Sequence, residues 1–194
     1  MSDMIYAGKM PVLALRGLAI YPEQTVHFDV GRVKSALALE EAMKGDQMLF
    51  LVPQKSIVDD DPDLSRLYSV GTVVKVKQIL KAQNDNIRVL VTGLRRAKIM
   101  EMLKTEPFMS ALVESVPDTQ VPENLRSRAL RREANALYAA YLEFGERPAQ
   151  SVQLRLLASE NCGYIADTIA QNTAFDYRDK AKLLCQLNPV KSMA

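Results

Sequence analysis

The apolar residues of this chain change their spacing near residue 117, and that change limits the fold more than any single motif does. Before it, Val, Ile and Leu come in short runs separated by turn signals. After it, apolar residues recur three and four apart, with many alanines and few turns. A period of two belongs to a strand with one buried face, and a period near 3.6 to a helix. The chain is therefore expected to be α+β, with a β-rich part over 1–117 and a helical bundle over 118–194. Its 194 residues can bury a core without help from disulfides or metal.

In the first part, Met10–Leu15 is a short apolar run closed by Arg16-Gly17. Thr25–Val30 alternates, with Val26, Phe28 and Val30 on one face and Thr25, His27 and Asp29 on the other. Gln47–Val52 is a continuous apolar run stopped by Pro53, and Val70–Ala82 is long enough for a bent strand. Asn84-Asp85-Asn86 supplies turn residues that tolerate positive φ, and Asn86–Thr92 returns as the hairpin partner. Gly93 is expected to interrupt this pairing, with further strands over Ala97–Leu103 and Pro107–Val116. Short strands at such spacing indicate a small barrel or sandwich. One helix, Arg32–Lys44, carries Ala36, Leu39 and Met43 at helical spacing, and Gly45 suits the left-handed position that ends helices.

In the second part, Pro122 fits a first helical turn. Leu130, Ala134, Leu137, Tyr141 and Phe144 then form one apolar stripe, expected to be core, and Gly145 stops it. Further helices are expected from Pro148 or Ala149 to about Ala158, around Ile165, Ala166 and Ile169, and from Asp176, whose carboxylate can cap free N–H groups. Short links between these helices indicate a bundle.

Chemistry-bearing motifs are few. The one histidine, His27, lies on an alternating strand, and Cys162 and Cys185 are distant from it in sequence, so no tetrahedral metal set can be drawn from the usual ligands. No G-x-S-x-G, G-x-x-x-x-G-K-[ST] or G-x-G-x-x-G occurs, which argues against a nucleophile elbow and against a nucleotide site. Asp59-Asp60-Asp61-Pro62-Asp63 lacks the turn glycine and distal Glu of a calcium loop and reads as a solvated acidic loop. Twenty-five Lys and Arg against 23 Asp and Glu give a net charge of +2. That balance, with aromatic residues at only 6%, speaks against a dedicated nucleic-acid surface. No apolar run approaches the ~20 residues of a membrane span. The two thiols are expected to be reduced and buried, and the chain to be cytoplasmic.

Four segments together resemble the N-terminal domain of the Lon ATP-dependent protease family. Residues 11–43 carry Leu13-Ala14-Leu15-Arg16, Ile20-Tyr21-Pro22, Phe28-Asp29-Val30 and Gly31-Arg32 before a helix. LYSVGTVVKVKQIL (67–80), IRVLVTGLRRAKI (87–99) and PFMSALVESV (107–116) follow in the family's order and spacing. In the helical part, CGYIADTIAQNTAFDYRDKAKLLCQL is similar to the family's helix pair. Ala14 stands where the family usually has proline, and Ala181-Lys182 where Lys-Gln is usual.

The resemblance implies a PUA-like β pseudo-barrel followed by a helical bundle. It implies a part that recognises unfolded or damaged proteins for a hexameric, ATP- and Mg-dependent unfoldase and Ser-Lys protease, whose ATPase and protease modules lie C-terminal to this region. No catalytic, metal or cofactor residue is carried over to this chain, which is not expected to be an enzyme by itself. Alternatives are a stand-alone adaptor of the same domain type and an RNA-binding module, since a fold does not fix a function. The substrate-binding candidates are Ile20, Tyr21, Pro22, Phe108 and Met109, placed in a turn and a last strand where exposed apolar side chains would not be required by the core. Candidates for contact with a neighbouring subunit or linker are Arg126, Arg128, Arg131 and Arg132, clustered at the start of the long helix.

Overall fold

The computed structural model describes residues 7–81, 87–117, 121–145 and 147–193. The turn expected at Asn84-Asp85-Asn86 lies outside them. The chain is mixed α+β and divides into two compact units, 1–117 and 118–194.

The first unit holds strands β1 (Ala7–Leu15), β2 (Thr25–Val30), β3 (Met48–Pro53), β4 (Val70–Lys81), β5 (Ile87–Lys104) and β6 (Ser110–Ser115), with helix α1 (Val33–Lys44) between β2 and β3. Their order in the sheet is β2-β5-β4-β3-β1-β6, and β6 also pairs with β5. Five strands thus close into a ring, with β2 attached outside it along β5. All pairings are antiparallel except β1 with β3.

Two observations explain the sequence pattern. β1 and β3 read as unbroken apolar runs because both of their faces are covered. Leu13, Leu15, Leu49 and Leu51 join Ala38, Leu39 and Ala42 of α1 in one core. The alternating residues Val12, Ala14, Phe50 and Val52 join Val73, Ala97, Ala111 and Val113 in a second core, formed by residues of the five ring strands. β5 is a single strand, where two had been expected on either side of Gly93. Its first half pairs with β2 and its second half with β6, while β4 runs along most of it. Gly93 does not break it. It lets the Tyr21–Gln24 segment cross at close range, with Glu23 N donating to Gly93 O (2.9 Å) and Gly93 N donating to Gln24 O (2.8 Å). A Cβ at Gly93 would collide with the carbonyl of Tyr21.

Gly45 likewise departs from expectation. Its φ is −107°, and the left-handed position falls to Gln47 (φ 62°), whose N–H donates to Ala42 O.

The second unit holds α2 (Leu125–Phe144), α3 (Gln150–Ala158), α4 (Cys162–Gln171), α5 (Tyr177–Cys185) and a short α6 (Pro189–Met193). α2 starts later than Pro122 suggests, because Asn124 caps it. Asn124 Oδ1 accepts from Ser127 N (2.9 Å) while Asn124 N donates to Ser127 Oγ (3.0 Å). Asn161 caps α4, and Asp176 caps α5 by accepting from Arg178 N (2.8 Å). The core is Tyr138, Leu156 and Ile165, with Tyr141, Leu142, Ile169 and Met193 partly buried against it. The stripe expected from Leu130 to Phe144 is therefore rotated. Ala134 and Tyr141 belong to two overlapping apolar faces, and α2 turns the one containing Tyr138 inward. Leu137 remains 66% and Phe144 92% exposed. Neither cysteine is in a disulfide; Cys162 is buried and Cys185 half-buried.

Candidate functional site

Four of the five apolar candidates, Ile20, Tyr21, Phe108 and Met109, are buried. Ile20 and Tyr21 are each 1% exposed. The backbone around them is tied down by Thr72 Oγ1 donating to Ile20 O and by Tyr21 N donating to Gln24 Oε1. Phe108 packs into the α1 core and Met109 into the ring core, with Val12 N donating to Met109 O (2.9 Å). Pro22 is half-buried. The exposure expected of this set does not hold, because the segment after β1 is drawn onto β5 at Gly93. As folded, Ile20, Tyr21, Phe108 and Met109 are buried, and Pro22 keeps part of its surface.

The arginine cluster divides. Arg131 is an internal strut: Nη1 donates to Glu160 O (2.6 Å), Nη2 donates to Glu123 Oε1 (2.8 Å), and its side chain is mostly covered. Arg128 lies 3.8 Å from Glu123 and is exposed. Arg126 and Arg132 face solvent.

An open apolar surface exists instead in the helical unit, beside the helix whose apolar stripe was expected to be mainly core. α2, α4 and the α5–α6 region enclose a groove of about 390 Å³ walled by Leu137, Tyr138, Ile169, Phe175, Leu183 and Met193. A second cleft of about 760 Å³ shares Tyr141 and Thr173 with it and includes Phe144. Tyr138 and Tyr141 stack with ring centroids 6.2 Å apart, and Tyr141 Oη accepts from Ala174 N (2.9 Å), which fixes one wall. The Tyr138 hydroxyl is different. The residue is 4% exposed, and the hydroxyl finds no hydrogen-bond partner among the described residues. Burial raises its pKa, and Tyr141 adds to that. A buried hydroxyl left unpaired costs about 1–3 kcal/mol. The signal in the sequence was the second spacing, Ala134, Tyr138 and Tyr141, hidden under the longer stripe.

In the acidic loop Asp60, Asp61 and Asp63 are exposed, and Asp59 is half-buried. Asp60 meets Arg16 (2.5 Å), Asp61 meets Lys34 (2.6 Å), and Asp59 lies 3.6 Å from Arg66. Among the described residues, no group of three or more His, Cys, Asp and Glu is placed to hold a metal. Nor is any described helix long and apolar enough to cross a membrane.

Residues 9–193 match the model of the ATP-dependent protease La (LON) substrate-binding domain. The chain belongs to the Lon substrate-binding domain family. It is 37% identical over 180 residues to a Lon protease of Brevibacillus choshinensis, covering 93% of this chain and 23% of that protein. It is 35% identical over 175 residues to Lon protease 1 of Bacillus subtilis, covering 90% of this chain and 22% of that protein. This Lon domain thus spans under a quarter of the relatives it matches. Its fold is similar to the N-terminal domain of a Mycobacterium avium complex Lon protease, with a TM-score of 0.77 at 21% identity, covering 96% of this chain and 94% of that one. A Lon N-terminal domain protein from Xanthomonas campestris gives a TM-score of 0.65 at 11% identity.

Proposed function

We propose that this Lon domain recognises unfolded or damaged proteins through the helical groove and passes them to ATPase and Ser-Lys protease modules in the same polypeptide, within a cytoplasmic hexamer. The observation that supports this reading is the apolar groove with an unpaired, buried tyrosine hydroxyl in its wall. An exposed polypeptide segment brings both things the groove lacks: apolar side chains to cover Leu137 and Phe175, and backbone carbonyls to accept from Tyr138. A shallow surface binds weakly, and six copies in one ring raise the effective concentration without slowing release. The exposed Arg126, Arg128 and Arg132 suit contact with a neighbouring subunit or with the connection between modules.

The test uses the 194-residue chain and unfolded casein. Leu137→Asp with Phe175→Asp is expected to weaken capture about ten-fold or more while shifting the melting temperature by only a few degrees, since both side chains are about half exposed or more. Tyr138→Phe removes the unpaired hydroxyl and keeps the ring. It is expected to leave stability equal or higher and casein binding weaker. Unchanged capture in both variants would exclude the groove.

A further inference from the structure

Two arginines of the segments that carry the family resemblance, Arg16 and Arg32, meet in the first unit at a cavity that no function above employs. It measures about 500 Å³, within the range of small-ligand sites. Its floor is apolar, with Leu13, Leu15, Leu18, Phe28 and Val30. Its mouth is cationic. Arg32 is half-buried and donates to the carbonyls of Ala14 and Asp60 and to Gln54 Oε1 (3.2 Å), all neutral acceptors. It makes no ion pair among the described residues. Burial lowers its pKa and the charge of Arg16 lowers it further, while the charges of Asp60 and Asp61 act in the opposite direction. Asp29, which also lines the cavity, is already engaged by Arg88 at 2.7 and 3.0 Å. One carboxylate does reach the mouth. Asp60 Oδ1 accepts from Arg16 Nη2 at 2.5 Å, although the Asp60 side chain is 88% exposed.

That arrangement has the form of a site closed by its own stand-in. An ion pair so exposed contributes only about 0–1 kcal/mol, so another carboxylate can replace Asp60 at small cost. An incoming group with an apolar body can also cover Leu18 and Phe28, the partly exposed apolar residues of the lining. We propose that this cavity takes the C-terminal carboxylate of a polypeptide whose last residues are apolar, with Arg16 meeting the carboxylate and Asp60 as the internal group it displaces. The inference rests on the reading that this domain receives polypeptides, and adds a second element of recognition: a chain end, where the helical groove takes chain interior.

The test is fluorescence anisotropy of a labelled peptide ending in two leucines, as free acid and as amide, with the whole 194-residue chain. The acid is expected to bind about ten-fold or more tightly than the amide, as a charge-assisted pair requires. Arg16→Met is expected to erase the difference without changing the melting temperature appreciably, because Arg16 is exposed. Asp60→Asn is expected to tighten the acid several-fold and leave the amide unchanged, a gain that misfolding cannot produce. Equal binding of acid and amide, absence of binding by both, or a preference that survives Arg16→Met would overturn the proposal. So would N-acetyl-leucine binding as tightly as the peptide, which would assign the cavity to small free carboxylates. Casein capture through the helical groove is measured in parallel. If it persists while acid and amide bind alike, only this proposal fails; if casein is not captured, the reading of the helical groove fails.

Discussion

Gly93 and Tyr21 show how one close approach decides the fate of a whole segment. An apolar–aromatic–proline turn after a strand reads as exposed only if its backbone has somewhere to go other than the sheet. Here the missing side chain at Gly93 gives it a seat, and Ile20 and Tyr21 fall into the core. Nothing in the local sequence pairs residues 21 and 93, so this was not legible. Gly93→Ala is expected to cost about 1–3 kcal/mol or more through overpacking, read as a lower urea midpoint at unchanged slope. Tyr21→Ala is expected to cost about 3–5 kcal/mol. Asp29 gives a pH signature. Its hydrogen bond from Arg88 holds its pKa below the ordinary value of 3.8, and the nearby charges of Arg88 and His27 act in the same direction. A carboxyl depressed in the folded state stabilises above its unfolded pKa and loses that contribution as pH falls through the folded value. Melting temperatures of Asp29→Asn and the parent are therefore expected to differ slightly at neutral pH, in the parent's favour, and to converge as the pH falls from the ordinary carboxylate range through the lowered folded-state value.

At the scale of elements, periodicity gave β2 its full extent, and the apolar runs of β1 and β3 to within a few residues. It failed where two neighbours share one strand. β5 changes partners from β2 to β6 part-way along, with register shifts against β4 and β6, so its burial pattern changes phase and looks like two strands. It failed again on α2, whose two apolar spacings overlap at Ala134 and Tyr141. Only the packing of α3 and α4 decides that Tyr138 turns inward. The start of α2 was hidden for a different reason: Pro122 is a generic helix opener, whereas the reciprocal pair of Asn124 and Ser127 is the cap actually used. Asn124→Ala is expected to destabilise the helical unit by about 1 kcal/mol, seen as earlier loss of helical ellipticity on heating.

For the molecule as a whole, the change of spacing near residue 117 carried most of what the sequence could say, because each half has its own rule for burying apolar surface. The candidate site was less legible. An open groove depends on which helix face is left over after packing, and that is a property of the assembled bundle. The two units have separate cores, so residues 1–117 expressed alone are expected to unfold cooperatively with β-type circular dichroism. The helical unit, with a smaller set of buried side chains, is expected to be the less stable of the two fragments. Absence of a cooperative transition in the 1–117 fragment would show that its core needs the rest of the chain.

Closure of five strands into a ring has one more consequence. A protein kept in the company of half-folded chains is at constant risk of being used as a template, because an open row of main-chain donors and acceptors invites a sticky strand to add on and seed a fibre. Among the described strands, each of the five in the ring has a partner on both sides, whereas β2 pairs only with β5, keeps one open edge, and turns Thr25, His27 and Asp29 to the water. In the proposed role, most of the sheet is thus already paired with itself, and β2 is the strand along which an aggregation-prone client would add on.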